Sequence, residues 1–292
     1  MPGSLPRMPP ADLHPDLDPD LDPDLDDAAV AAAAARAGAD VVRGMFGGPL
    51  ARFDKGAGDF ATAADVAAER AVLDVLRTAR PDDAVLGEES GQHGAAGSAR
   101  QWLVDPLCGT LNYAAGSMLV AVNVALRDGA PGDVDGAPWA GAAAVADPFS
   151  GEVFRTDGAS AWVRRDDVDE RLEPTSATRL VDVNLDPPFP AAPGFRAVDL
   201  LAHPGFGERF RPRVVSTTLA VAWVAAGRRA AYVTDGDGLA GSLHFAAGIA
   251  LCRAAGCLVT GLDGAPAGPA SRGLVVAADA AIHAQLMSMI HG

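Results

Sequence analysis

Two helical patterns stand ahead of a run of strand patterns, so the chain has to fold by covering mainly antiparallel strands with helices. Residues 28–46 read as an Ala-rich helix, and residues 63–79 as a second, amphipathic one whose apolar side carries Val66, Val72, Leu73 and Leu76. Strand patterns follow at 84–86, 102–104, 118–126 and 139–145, and the same character continues over 153–162. Residues 128–138 are rich in Gly, Pro and Asp and are expected to be a loop between strands. The later part reads as a helix at 217–226, a strand at 230–234, a helix carrying His244, and strands at 257–260 and 273–277. The expected division is an N-terminal α+β half, 27–168, and a C-terminal α/β half, 169–292.

Residues 12–27 repeat a four-residue Asp-Leu-x-Pro unit. Proline at every fourth position forbids a regular helix and the like charges repel, so residues 1–26 are expected to be a disordered acidic tail. The net charge of −15 over 292 residues leaves no basic surplus for phosphates and argues against a nucleic-acid partner. With 49% apolar residues the core is well supplied, yet no apolar run is long enough to cross a bilayer and no basic-then-apolar leader is present. The three cysteines have no paired spacing, which suits a reducing, cytoplasmic setting without a membrane.

The chemistry concentrates in Trp102-Leu-Val-Asp-Pro-Leu-Cys-Gly-Thr-Leu-Asn-Tyr113. This stretch resembles the Asp-Pro-(Ile/Leu)-Asp-Gly-Thr signature of the inositol monophosphatase superfamily, with Cys108 where the second aspartate would stand. Other segments fall in the family's order. Gly58-Asp-Phe-Ala-Thr-Ala-Ala-Asp65 is similar to its threonine-to-aspartate loop, Leu86-Gly-Glu-Glu-Ser90 to its metal loop, and Asp147-Pro-Phe-Ser-Gly-Glu-Val-Phe154 to its Asp-Pro turn and strand. Leu243-His-Phe-Ala-Ala-Gly248 resembles Trp-Asp-x-Ala-Ala-Gly, with His244 in place of the aspartate. The resemblance runs from about Ala28 onward and implies an α/β (α+β) fold, a layered αβαβα sandwich, with homodimers common.

In that family carboxylates hold magnesium ions on a phosphate ester. The resemblance implies that Glu88 and Asp105, with the Leu107 carbonyl, retain one such site. A neighbouring ion would need aspartates at 108 and 244, and thiolate and imidazole are poor ligands for a hard cation. No resident metal or other cofactor is therefore expected, Glu88 and Asp105 being residual ligands. Residues that shared an ion must lie close together, which places Cys108, His244 and Asp105 side by side with the composition of a nucleophile, a base and an orienting acid. Asp65 is the alternative third member.

The amides of Gly109 and Thr110 are the oxyanion candidates, at the start of a short helix that would favour a thiolate. Weak substrate contacts are assigned to Asp237 and to Phe206, the latter in an apolar stretch over 187–212 that resembles the substrate rim. Cys252 and Cys257 read as small buried hydrophobes.

Within the superfamily, the cysteine-dependent Dieckmann cyclases of tetramic acid and pyridone biosynthesis share this replacement. The resemblance implies release of a β-ketoamide thioester from a carrier protein by Cys108 acyl chemistry. The alternatives are a divergent phosphomonoesterase using the Glu88 site or a zinc ion on Asp105, Cys108 and His244, and a scaffold without catalysis.

Overall fold

The computed structural model describes residues 25–56, 59–95, 98–128, 141–185, 195–239, 242–268 and 271–292. The expected acidic tail lies outside these residues apart from Leu25 and Asp26, as do positions 129–138 of the expected loop.

Helix α1 (Asp27–Met45) begins where the proline repeat stops. Asp26 caps it by accepting the Ala29 N–H at 2.7 Å, and Asp27 adds negative charge to the first turn. Its buried face, Val30, Ala31, Ala34, Ala35, Ala39 and Val42, is made of small residues, so the helix settles close against its neighbours. A hairpin of β1 (Arg52–Gly56) and β2 (Asp59–Thr62), not expected from the sequence, leads into α2 (Ala63–Ala79). Thr62 and Asp65 form a capping box there, Asp65 accepting the Thr62 N–H at 2.8 Å.

The next strands are β3 (Ala84–Gly87), β4 (Gly91–His93), β5 (Arg100–Cys108), β6 (Ala121–Asp128), β7 (Ala142–Ala146), β8 (Val153–Thr156), β9 (Ala161–Arg165) and β10 (Val168–Arg171), with a short helix α3 (Thr110–Ala114) after β5. They form one eight-stranded sheet in the order β10-β9-β8-β7-β6-β5-β3-β4, in which only β3 and β5 run parallel. The strand character expected throughout 153–162 is broken into β8 and β9 by a tight turn at residues 157–160.

A second sheet follows, built from β11 (Leu180–Val183), β12 (Arg211–Val214), β13 (Ala231–Asp237), β14 (Leu258–Thr260) and β15 (Arg272–Ala277) in the order β12-β11-β13-β15-β14. Helices α4 (Ala197–Ala202), α5 (Pro204–Arg209) and α8 (Ala280–His291) share the core cluster on one side of it. Helices α6 (Leu219–Ala225) and α7 (Ala246–Ala255) lie between the two sheets, in the cluster that also holds Leu103, Phe154, Tyr232 and Leu274. The result is the five-layered αβαβα arrangement. No described helix is long and apolar enough to cross a membrane.

Strand alternation decides which layer each side chain enters. On β5, Trp102 and Val104 join the cluster under α1 and α2, whereas Leu103 joins the one with α6 and α7, and Asp105 follows Leu103. On β6, Asn123 is paired with Asp105 and has the same sense. The polar centre is thereby directed toward the layer of α6 and α7.

Two expectations are corrected here. Phe206 is 1% exposed and packs against Phe210 in the outer core at a centroid distance of 5.4 Å, so it is a core residue and not a rim contact. His244 lies in a turn ahead of α7 and not on the helix, because the helix starts only at Ala246.

Gly248 explains the last residue of its motif. A Cβ there would sit 2.9 and 3.0 Å from side-chain atoms of Val221 on α6, closer than packed carbons come. Gly248→Val should cost about 1–3 kcal/mol of unfolding free energy through overpacking of the α6–α7 contact. A urea titration of the purified variant measures this, and an unchanged midpoint would disprove the close-approach argument.

Candidate metal centre

Asp105 anchors the site. It is fully buried, and the Asp-Pro sequence explains its freedom from the ladder: Pro106 has no N–H to give, and the β5–β6 register slips between Asp105 and Cys108. Asp105 Oδ1 accepts the Leu107 N–H at 3.2 Å, and Oδ2 accepts from His244 Nδ1 at 2.8 Å. Asn123 Nδ2 stands 3.5 Å from the same oxygen while donating to Thr218 Oγ1 at 2.9 Å. After Cys108 the chain reverses at Gly109, whose φ of 102° favours glycine. Thr110 then donates its hydroxyl to Asp65 Oδ1 at 2.8 Å, tying α3 to the start of α2.

Glu88 arrives from the turn after β3, its N–H donating to the Val104 carbonyl at 3.1 Å. That turn is held from below by Glu69 of α2, a carboxylate only 2% exposed that accepts the N–H groups of Glu89 and Ser90, each at 2.8 Å. Lys55, the only lysine in the chain, reaches across from β1 and donates to Glu88 Oε1 at 3.0 Å and Glu89 Oε1 at 2.8 Å. Sequence reasoning assigned no role to Glu69 or Lys55. A signal for Glu69 existed, since it follows Asp65 by four positions and so shares the otherwise apolar buried face of an amphipathic helix.

Among the described residues, one group of possible metal ligands converges: Glu88, Asp105 and His244, with their ligand atoms all within 4.8 Å of one another. Cys108 is not part of it. Its sulfur accepts the Thr218 N–H at 3.4 Å, and no hydrogen bond joins it to His244 among the described residues. Asp65 pairs with Thr62 and Thr110, so the carboxylate on the imidazole is Asp105. Asp237 ends β13, and its side chain lies outside the described set.

The charges of these groups shift one another. Burial, followed by the nearby Asp105 charge, pushes Glu88 up to about 8. Burial opposes the charged form of His244, but the Asp105 charge and hydrogen bond, with Glu88 behind them, raise it to about 9. Burial and then Asp105 hold the Cys108 thiol well above its ordinary value, and the Thr218 bonds only partly offset this. The five-residue α3 does not reverse it. A thiolate favoured by a helix end, as expected from the sequence, is therefore corrected to a neutral thiol.

The model of the inositol monophosphatase family matches residues 24–291. The chain belongs to the inositol monophosphatase family. It is 33% identical to the inositol-1-monophosphatase ImpA of Mycolicibacterium smegmatis over 240 residues, covering 80% of each protein. To the Nus factor SuhB of Escherichia coli it is 33% identical over 215 residues, 72% of this chain and 74% of that one. The solved structure of the extragenic suppressor protein suhB from Bartonella henselae superposes with a TM-score of 0.73 at 24% identity, over 90% of this chain and 97% of that one.

These findings overturn the cyclase expectation. The family and its relatives point to a metal-dependent phosphatase, and none indicates a Dieckmann cyclase, a cysteine-dependent cyclising enzyme or tetramic acid synthesis. The expected carrier-protein partner falls with it, since the relatives are named as inositol-1-monophosphatases and Nus factors.

Two measurements follow. Alkylation of Cys108 by iodoacetamide should be slow at pH 7.5 and still accelerating above pH 9, because the thiol rather than the thiolate is the stable form; a plateau below pH 8 would contradict the geometry. In metal-free protein the His244 ring should titrate near 9, and Asp105→Asn should bring it back toward 6.5. Since the folded value exceeds the unfolded one, the stability His244 contributes is fully present below pH 6.5 and is lost as pH rises through about 9. NMR titration of the histidine resonances, beside unfolding curves across that window, tests both statements.

Proposed function

We propose that this protein is a divergent metal-dependent phosphomonoesterase working with one divalent cation on Glu88, Asp105 and His244. The observation that carries the reading is the convergence of two carboxylates and one imidazole within 4.8 Å, in a family whose relatives include inositol-1-monophosphatases. Two oxygen donors and one nitrogen suit a borderline cation such as zinc or manganese better than magnesium. The positions where the family would place aspartates for a neighbouring ion hold Cys108, a neutral thiol turned to Thr218, and His244, already committed to Asp105. One cation therefore fits this donor set, and a second finds no carboxylate there.

A cation bound at these residues supplies Lewis-acid polarisation of the phosphoryl group. The chain does the rest. Thr110 donates its hydroxyl hydrogen bond to Asp65, which leaves the hydroxyl oxygen as an acceptor able to orient a water. Lys55 brings a fixed positive charge against Glu88 and Glu89, and its ammonium is stabilised there: burial opposes the charge, but the two carboxylates outweigh it. The amides of Gly109 and Thr110 are the candidates for a phosphoryl oxygen. Three unpaired thiols support a cytoplasmic setting.

Myo-inositol 1-phosphate, with zinc, manganese or magnesium, is the first substrate to test. Glu88→Gln and Asp105→Asn should each reduce hydrolysis at least about 100-fold and weaken cation binding. Because Glu88 and His244 hold protons at neutral pH, loading the cation should release protons and affinity should rise with pH toward about 9. Calorimetric titration in two buffers of different ionisation enthalpy reads this directly. No hydrolysis with any of the three cations, together with cation binding unchanged in His244→Ala, would refute the proposal.

A further inference from the structure

The far end of α7 brings two thiols together. The helix closes at Gly256, whose φ of 91° lies in the left-handed region that favours glycine. The Gly256 N–H donates to the Arg253 carbonyl at 3.0 Å, and the Cys257 N–H donates to the Cys252 carbonyl at 2.8 Å. These two bonds are the pair that defines a Schellman ending, in which the side chains at the two ends of the closed turn commonly meet. Here both of those side chains are cysteine.

Both cysteines belong to the core cluster between the sheets, Cys252 fully buried and Cys257 8% exposed. Cys252 donates its S–H to the Val221 carbonyl of α6 at 3.2 Å. Burial, followed by the Cys257 thiol beside it, holds the Cys252 thiol well above its ordinary value. A disulfide needs Cα atoms about 4.4–6.8 Å apart, and the backbone bond from Cys257 to Cys252 keeps their two peptide units in contact. Cys108 is placed differently, at the end of β5, where its sulfur accepts the Thr218 N–H at 3.4 Å.

We propose that Cys252 and Cys257 are a reversible oxidation site, closed to an intrachain disulfide by hydrogen peroxide. The order of events follows from access. Cys257, the more exposed of the two, meets the peroxide first. Its thiolate takes one oxygen, the O–O bond breaks, and the departing hydroxide leaves as water with the proton that the thiol gave up. Cys252 then attacks the Cys257 sulfur, the S–O bond breaks, and a second hydroxide leaves as water with the Cys252 proton. Two thiols lose two electrons between them, and one hydrogen peroxide becomes two waters. The first step is slow because little of Cys257 is exposed, and the second is fast because its partner is already in place.

The bridge fastens the end of α7 to the residue that leads into β14, in exchange for the Cys252 S–H bond to Val221. It asks little of the backbone, since the turn is already closed by its two hydrogen bonds. His244 stands beyond the opposite end of the helix. A ten-residue helix spans about 15 Å, so the oxidation is local and leaves the metal centre in place.

Peptide mapping of the full-length protein tests this. The native protein is treated with a stoichiometric amount of hydrogen peroxide, denatured, alkylated with iodoacetamide and cut with trypsin, which cleaves after Arg253 and so puts the two cysteines on different peptides. The expected product is a linked pair of peptides, two hydrogens lighter than its separate parts and released by dithiothreitol, with Cys108 recovered in alkylated form. Cys257→Ser should slow the loss of the Cys252 thiol roughly tenfold or more, because the remaining sulfur is fully buried. Thiols that all survive, oxidation that stops at single cysteines without a link, a link that includes Cys108, or one that forms only in urea would each overturn the proposal.

Discussion

A fully buried carboxylate, Asp105, sits where the eight-stranded sheet meets the layer of α6 and α7, and the site is organised around its hydrogen-bond partners. Removing such a group from water costs several kcal/mol unless partners replace the lost solvent. Here they come from three directions: the Leu107 N–H from its own loop, Asn123 from the adjacent strand, and the His244 ring from the turn before α7. The contact with His244 is also a structural clasp, because it links β5 to the segment that leads into α7.

Two further carboxylates depend on this arrangement. Glu88, buried and close enough to feel the Asp105 charge, and Glu89, raised by burial, both sit in the turn they share at a cost to their charged forms. Lys55 and a protonated His244 are the protein's own compensation. Glu69 keeps the turn in place through backbone amides and not through charge pairing, and Gly87 is required because a Cβ there would lie 2.7 Å from the Glu69 carboxylate. A cation at the centre would replace protons that the residues now hold, which links metal binding to pH through the same groups.

Cys108 shows how a single replacement is read differently in one and in three dimensions. Its place in a signature loop beside the Asp105 motif made it a candidate nucleophile. In the folded chain the sulfur faces the Thr218 N–H, is raised by burial and by Asp105, and leaves the imidazole to the carboxylate. The negative charge that holds His244 protonated is what disfavours a thiolate next to it.

The sequence by itself determined the layered fold and the identity of the central residues. Helical and strand periodicity located α1, α2, β3, β5, β6, β13 and β15 within a few residues, since each has one face committed to a core and so carries a regular apolar pattern. The motifs placed Glu88 beside Asp105, and Cys108 and His244 beside Asp105, because their order along the chain is a family property. Short or exposed elements such as β1, β4 and β12 left no such pattern, and their existence depends on pairing with strands that burial had already placed. Only the tertiary structure decided that Phe206 lies in a core, that Glu69 and Lys55 belong to the site, and that the imidazole answers to Asp105 and not to Cys108. Those outcomes rest on distances and burial between residues remote in sequence, which local composition does not encode.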